Sequence, residues 1–255
     1  MPSTENKTAL AFLAHPDDAE FHCGGTLIRL ADAGWDVHIC TVANGDCGTT
    51  SETPWSIAGI RTKEADRAAK LIGGTYHCIG ERDGMVVYDR GSIQKALDLF
   101  RRVTPSLVFI HPRQDYMMDH EMSSLLGRAA SFLFGAPNAS EFPLSPGSKV
   151  PHLYYCDPVE ARDHYGNVVT PTTYVDITAV LDRKTEMLAC HASQREWLRA
   201  HHGEDEYLHS MQRSAAMRGA QVGVAAAEGF VQHRGHAYPR NDLLEELFGK
   251  PDMVA

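Results

Sequence analysis

Thr8–Leu27, TALAFLAHPDDAEFHCGGTL, is the stretch whose reading decides the fold. Thr8 to Ala14 is an uncharged run suited to a buried strand, and it ends abruptly in His15, Pro16 and two adjacent carboxylates, Asp17 and Asp18. Pro16 fixes the chain between His15 and those carboxylates and delays any helix. Gly25 to Ala33 then reads as a helix stopped at Gly34, and Asp36 to Val42 as a second strand.

The same alternation continues outward. Ile57 to Leu71 reads as a helix with Arg61, Glu64 and Arg67 on its polar side and Gly73-Gly74 ending it, followed by a strand at Thr75 to Ile79. Ser92 to Val103 is helical, and the apolar run from Ser106 to His111 suits a strand buried on both faces. Asp119 to Phe134 is expected to be a helix with Asp119 as its N-cap. His152 to Cys156 and Tyr174 to Ile177 read as later strands, with a helix over Ala179 to His191. No repeat or low-complexity linker divides residues 1–255, so the expectation is one α/β domain: a single doubly wound, mostly parallel, Rossmann-like sheet with helices on both faces.

Composition narrows the function classes. A net charge of −9 argues against nucleic-acid and anionic-membrane partners, which are held by clustered Lys and Arg. No run approaches the ~18 apolar residues of a membrane span, and the start does not read as a secretory signal, so a cytoplasmic protein is expected. The six cysteines are far apart and read as free thiols. The first βα turn lacks G-x-G-x-x-G, the Asn44–Thr50 stretch lacks a P-loop lysine and reads as a flexible rim loop, and no G-x-S-x-G elbow occurs.

In a doubly wound sheet the loops after strands one and four meet at one rim. His15 and Asp18 from the first loop and His120 from the second then supply two imidazoles and a carboxylate. Such a set suits Zn²⁺ and leaves a position for water, whose pKa on zinc falls to ~7. Asp17, beside a ligand without needing to be one, is the candidate general base. The His201, His202, Glu206 and His209 cluster reads as a solvated face, and Trp55, Tyr154 and Tyr155 as packing residues.

Residues 14–27 resemble the opening signature of the LmbE-like (PIG-L) deacetylase family, and Asp119-His120 resembles its second zinc motif. Arg61 with Glu64, the Val175–Thr178 run, Lys184 and Ser193-Gln194 are similar to its later landmarks. The resemblance implies zinc-dependent hydrolysis of an N-acyl bond, typically the acetyl of an N-acetylglucosamine carried on a small molecule. It assigns His15, Asp18 and His120 to the metal, Asp17 to proton transfer, and Arg61 to a place near the substrate. One position departs from the pattern: Met117 stands where many members carry a histidine that stabilises the oxyanion or protonates the leaving group. Tyr116 and His236 are the expected substitutes. The expected partners are an amino-sugar substrate and further copies of the chain as a homo-oligomer. Cleavage of a larger acyl group, a non-catalytic metal- or carbohydrate-binding module, and an Fe(II) triad stay open as alternatives.

Overall fold

A computed structural model describes residues 6–195 and 206–251. Seven strands form one sheet: β1 (Thr8–Leu13), β2 (Asp36–Ala43), β3 (Thr75–Glu81), β4 (Leu107–Ile110), β5 (His152–Cys156), β6 (Thr173–Asp176) and β7 (Ala227–Gln232), in the order β3-β2-β1-β4-β5-β7-β6. The first five are parallel, and β7 runs antiparallel between β5 and β6. The expected doubly wound sheet is present, with one reversed strand that the sequence reading omitted.

Alternation along β1 splits the core in two. Ala9, Ala11 and Leu13 face one cluster, with Leu27, Ile28 and Leu30 of helix α1 (Asp18–Asp32) and Met187 of α5 (Leu181–Ala189). Leu10 and Phe12 face the other, with Leu99 and Phe100 of α3 (Arg90–Val103) and Leu126 and Ala130 of α4 (Met118–Leu133). Each fully buried Leu or Phe contributes roughly 1.5–3 kcal/mol, so both layers are firmly seated on the sheet. Gly127 sets how closely α4 approaches: a Cβ there would lie 2.6 Å from Ile110 Cγ2 and 3.0 Å from Phe12 Cδ1. Helix α2 (Pro54–Lys70) packs on β3 and α5, while α6 (Glu206–Gln221) and α7 (Leu243–Phe248) pack on the β7 and β6 side.

Several expectations change. Helix α1 starts at Asp18 rather than Gly25, because its polar first turn is buried against the site and not exposed as a loop. The cap of α4 is Met117, not Asp119, whose carboxylate is turned instead to the backbone of the β3–α3 loop. Arg61 and Glu64 lie on the buried side of α2, at 3% and 6% exposure, because the polar stripe of this helix faces other polar groups. Tyr154 and Tyr155 are packed as expected, but Trp55 is 91% exposed in the first turn of α2. His201 and His202 fall outside the described residues, and His209 is exposed on α6. All six cysteines are free thiols. Among the described residues no helix is long and apolar enough to cross a membrane.

Candidate metal centre at the strand carboxyl ends

Strands β1 and β4 are neighbours whose following segments diverge to opposite faces, and this switch point opens the crevice in which doubly wound folds bind ligands. The chain leaving β1 enters α1 through His15, Pro16 and Asp17, and the chain leaving β4 enters α4 through residues 111–117. His15, Asp18 and His120 thereby meet, all of them buried, with one ligand atom from each within 4.8 Å of the others.

The ring orientations fit a metal. His15 Nδ1 faces Asp18 Oδ2 at 3.4 Å, while its Nε2 lies 3.2 Å from Asp119 Oδ2 and 3.1 Å from Asp83 Oδ1. His120 presents Nε2 to Asp18 Oδ1 at 3.6 Å and Nδ1 to Asp115 Oδ1 at 3.1 Å. Each imidazole therefore has one nitrogen toward the ligand set and the other beside a carboxylate; for His15 that contact is a hydrogen bond to Asp119, the arrangement that fixes the tautomer of metal-binding histidines and raises their basicity. This donor set of two nitrogens and one oxygen fits a metal ion with room for water.

Electrostatics follow from burial and pairing. Burial opposes charge on His15, yet its hydrogen bonds to Asp119, Asp18 and Asp83 raise its pKa well above the ordinary value. His120 is raised too, because the charges of Asp18 and Asp115 outweigh burial. Asp18 is likewise buried, but the neighbouring His120 and His111 hold its carboxyl well below the usual range. Asp17 moves the other way: burial raises it, and Arg61 only partly offsets that.

Asp17 sits beside the ligand set without joining it. Its φ of 122° is unusual for a non-glycine residue, and such a conformation persists only where the surroundings hold it. Arg61 does so, with Nη2 donating to Pro16 O (2.8 Å) and to Asp17 Oδ2 (3.2 Å). Gly45 and Gly48 allow the β2–α2 loop to lie against that guanidinium; a Cβ at either would come within 2.8 Å of Arg61. The loop is thus fastened by close packing. A cavity of about 530 Å³ opens here, and its walls include Asp17, His15, His120, Arg61, Tyr116 and Met117, joined by Phe21, His22 and Gln194.

The remaining predicted residues divide. Tyr116 lines the cavity, its ring edge-on to His120 at 5.3 Å. His236 is exposed and is not among the lining residues, because the tail is tied elsewhere: Tyr155 Oη and His233 Nδ1 are 2.9 Å apart, and Tyr238 donates to Arg128 O at 3.1 Å. Arg61 lines the cavity, but protein acceptors already engage its guanidinium. Two further residues belong to the site. Tyr207 of α6 lines the cavity together with Asp17 and stacks on Phe21 at 5.8 Å. His111 lies with its ring parallel to His120, centroids 3.8 Å apart. His111 was legible as the first polar residue after an apolar strand; Tyr207 carries no local signal.

Residues 10–131 match the family model described as PIG-L: GlcNAc-PI de-N-acetylase. Among curated proteins, the chain is 27% identical to 4-oxalmesaconate hydratase of Pseudomonas putida, over 93% of this chain and 92% of that one. It is 28% identical to diacetylchitobiose deacetylase of Thermococcus kodakarensis, over 76% and 72%. Among solved structures, the N,N′-diacetylchitobiose deacetylase of Pyrococcus horikoshii superposes with a TM-score of 0.76 at 25% identity, covering 95% of this chain and 90% of that one. The 4-carboxy-2-hydroxymuconate hydratase of Pseudomonas putida also gives 0.76, at 24% identity, covering 92% and 100%, a likeness of fold. The family model matches residues that include both site loops, and the fold is held in common with these deacetylases and hydratases, so that residues 10–131 carry a PIG-L (LmbE-like) family domain match.

Proposed function

We propose that the chain is a zinc-dependent hydrolase that removes an N-acyl group, acetyl in the first instance, from an amino sugar of a small-molecule conjugate such as an N-acetylglucosaminide. The observation that carries this reading is Asp17: a buried carboxylate beside the His15, Asp18 and His120 set, held by Arg61 and facing a cavity. A module that only binds a metal or a sugar has no use for such a group.

Zinc held by His15, Asp18 and His120 would supply a Lewis acid for the amide carbonyl and bring the pKa of a water to ~7. Asp17 takes a proton from the attacking water and returns it to the departing amine, a task worth ~10²–10⁴-fold when the group is well placed. Arg61 serves by keeping Asp17 in position. Tyr116, a phenol at the cavity wall, is the donor for charge developing on the carbonyl oxygen.

A second reading, addition of water to an activated carbon–carbon double bond, is favoured by Met117. Methionine neither donates to an oxyanion nor protonates an amine, and the hydratase relative aligns over 93% of this chain. The two readings part in one experiment on purified protein of measured zinc content. Amine release from N,N′-diacetylchitobiose is followed beside loss of ultraviolet absorbance from 4-carboxy-2-hydroxymuconate, with wild type and Asp17→Asn. The expected result is amine release by wild type and a fall of ~10²–10⁴-fold in Asp17→Asn with zinc retained. Equal rates in the two proteins sink the assigned base. Hydration without amine release hands the site to the second reading.

A further inference from the structure

His111 is fully buried at the end of β4 and has no part in the reaction as described above. Its surroundings are nonetheless specific. The ring lies nearly parallel to His120, at 13° and 3.8 Å between centroids, and His22 meets it edge-on at 5.4 Å. Its backbone carbonyl accepts from Ser124 Oγ of α4 at 2.8 Å. Its Nε2 lies 3.0 Å from Asp18 Oδ2 and also 3.0 Å from the Ala14 amide nitrogen, while Nδ1 has no partner.

A neutral imidazole has one N–H and one lone pair, so Nε2 serves one of these two neighbours. With the proton on Nδ1, Nε2 accepts from Ala14, the Nδ1–H is orphaned, and a lone pair faces a carboxylate at 3.0 Å. With the proton on Nε2, the ring donates to Asp18 Oδ2, and the orphaned donor is the Ala14 amide. Each choice leaves one N–H unpaired, so the carboxylate decides. A hydrogen bond to a charged group contributes ~1.5–3 kcal/mol against ~1 for a neutral one, which selects the Nε2–H form.

We infer that His111 is a positioning residue for the metal centre: its Nε2–H, with the His15 amide, holds Asp18 Oδ2, so that Oδ1 stays turned toward His120. The His15 amide donates to that same Oδ2 at 2.6 Å, giving it two donors from opposite strands of the switch point. Oδ1 lies 3.6 Å from His120 Nε2. A freely turning Asp18 carboxylate would share its oxygens between these neighbours and lose the fixed direction that a three-ligand set requires. The inference rests on the reading of His15, Asp18 and His120 as ligands, and it holds for either reaction that the site serves.

The test is zinc binding by the intact chain, read by competition with a chromogenic chelator, in wild type, His111→Gln, His111→Met and His111→Phe. Gln and Met are similar in length but only Gln offers an N–H; Phe keeps a flat ring against His120 and offers none. Expected are a zinc Kd weakened ~10–100-fold in His111→Met and His111→Phe, the usual cost of losing an outer partner of a ligand, and a return to within a few-fold of wild type in His111→Gln. Melting temperatures of the metal-free proteins separate a folding defect, and if Phe lowers them, the matched Gln and Met pair decides. Weak binding by Gln and Met with tight binding by Phe overturns the inference in favour of ring stacking. Equal binding by all four proteins overturns it outright. A wild type that binds no zinc removes the ligand set itself, a different failure from variants that match a zinc-binding wild type.

Discussion

Helix α1 touches two buried charge clusters that behave in opposite ways. At its start, Asp17, Asp18, His15 and His120 line an open cavity, with the buried His111 behind Asp18. Halfway along, the helix meets Glu228 of β7. Glu228 Oε1 accepts from the Gly25 amide (2.8 Å) and Lys184 Nζ (2.6 Å), and Oε2 from the Thr26 amide (2.7 Å) and Thr26 Oγ1 (2.5 Å). Lys184 and Glu228 are at most 4% exposed, and every carboxylate oxygen is doubly used. Burial of charge therefore does not by itself mark a reactive site. What distinguishes the start of α1 is capacity left over: a carboxylate that is held but not consumed, and imidazole nitrogens aimed at a shared point.

The largest effect expected from this contrast is on stability. Glu228→Ala leaves the Lys184 ammonium buried without a partner and two mid-helix amides without their acceptor, and breaking such a pair from one side costs about 3–5 kcal/mol. Urea denaturation checks it, and the fraction of zinc bound by protein that stays folded is expected to be unchanged. Asp17→Asn should show the reverse, with stability within about 1 kcal/mol of wild type and activity lost. Its carboxyl is raised by burial in the folded protein, so removing the charge gives up little that held the fold together. If Glu228→Ala unfolds no more readily than Asp17→Asn, the division into a closed and an open cluster fails.

The sheet was readable where strands are apolar throughout. Residues 8–14 and 106–111 could hardly be anything else, and their adjacency at a switch point is what brought His15, Asp18 and His120 together on sequence grounds. Reading failed where polar groups are buried. β7, AEGFVQ, carries Glu228 and Gly229 in its interior and shows no strand pattern, because the glutamate reaches α1 and a Cβ on Gly229 would lie 2.5 Å from Pro171 Cγ. The same cause hid the first turn of α1 and placed Arg61 on the wrong side of α2. Tyr207 joins the cavity of Asp17 from far along the chain, which no local pattern announces.

Asp119 sharpens the comparison at a middle scale, because two roles for it predict different observables. As a helix cap it would contribute ~1 kcal/mol of stability and nothing to the metal. Its carboxylate instead accepts from Gly84 N (2.6 Å) and Val86 N (3.1 Å) while facing His15 Nε2 at 3.2 Å. Asp119→Asn is therefore expected to weaken zinc binding ~10–100-fold, and to speed hydrogen exchange at the Gly84 and Val86 amides. A loss of stability with zinc affinity intact would return Asp119 to the role of a cap.

The smallest expected effect concerns the tail, where His236 lies outside the cavity. His236 stands exposed between Gly235 and Ala237, the latter at φ 73°, on a segment pinned by His233 to Tyr155 and by Tyr238 to the α4 backbone. An exposed side chain outside the cavity holds no reacting atom, so His236→Ala should change kcat and KM for amine release by less than about twofold. Tyr116→Phe is the matched control inside the cavity, and losing one donor to a developing oxyanion costs up to ~10²–10³ in kcat. Should His236→Ala lower kcat as far as Tyr116→Phe does, the pinned tail must close over the cavity during turnover. The open cluster would then be completed by a residue that lies outside it in this conformation.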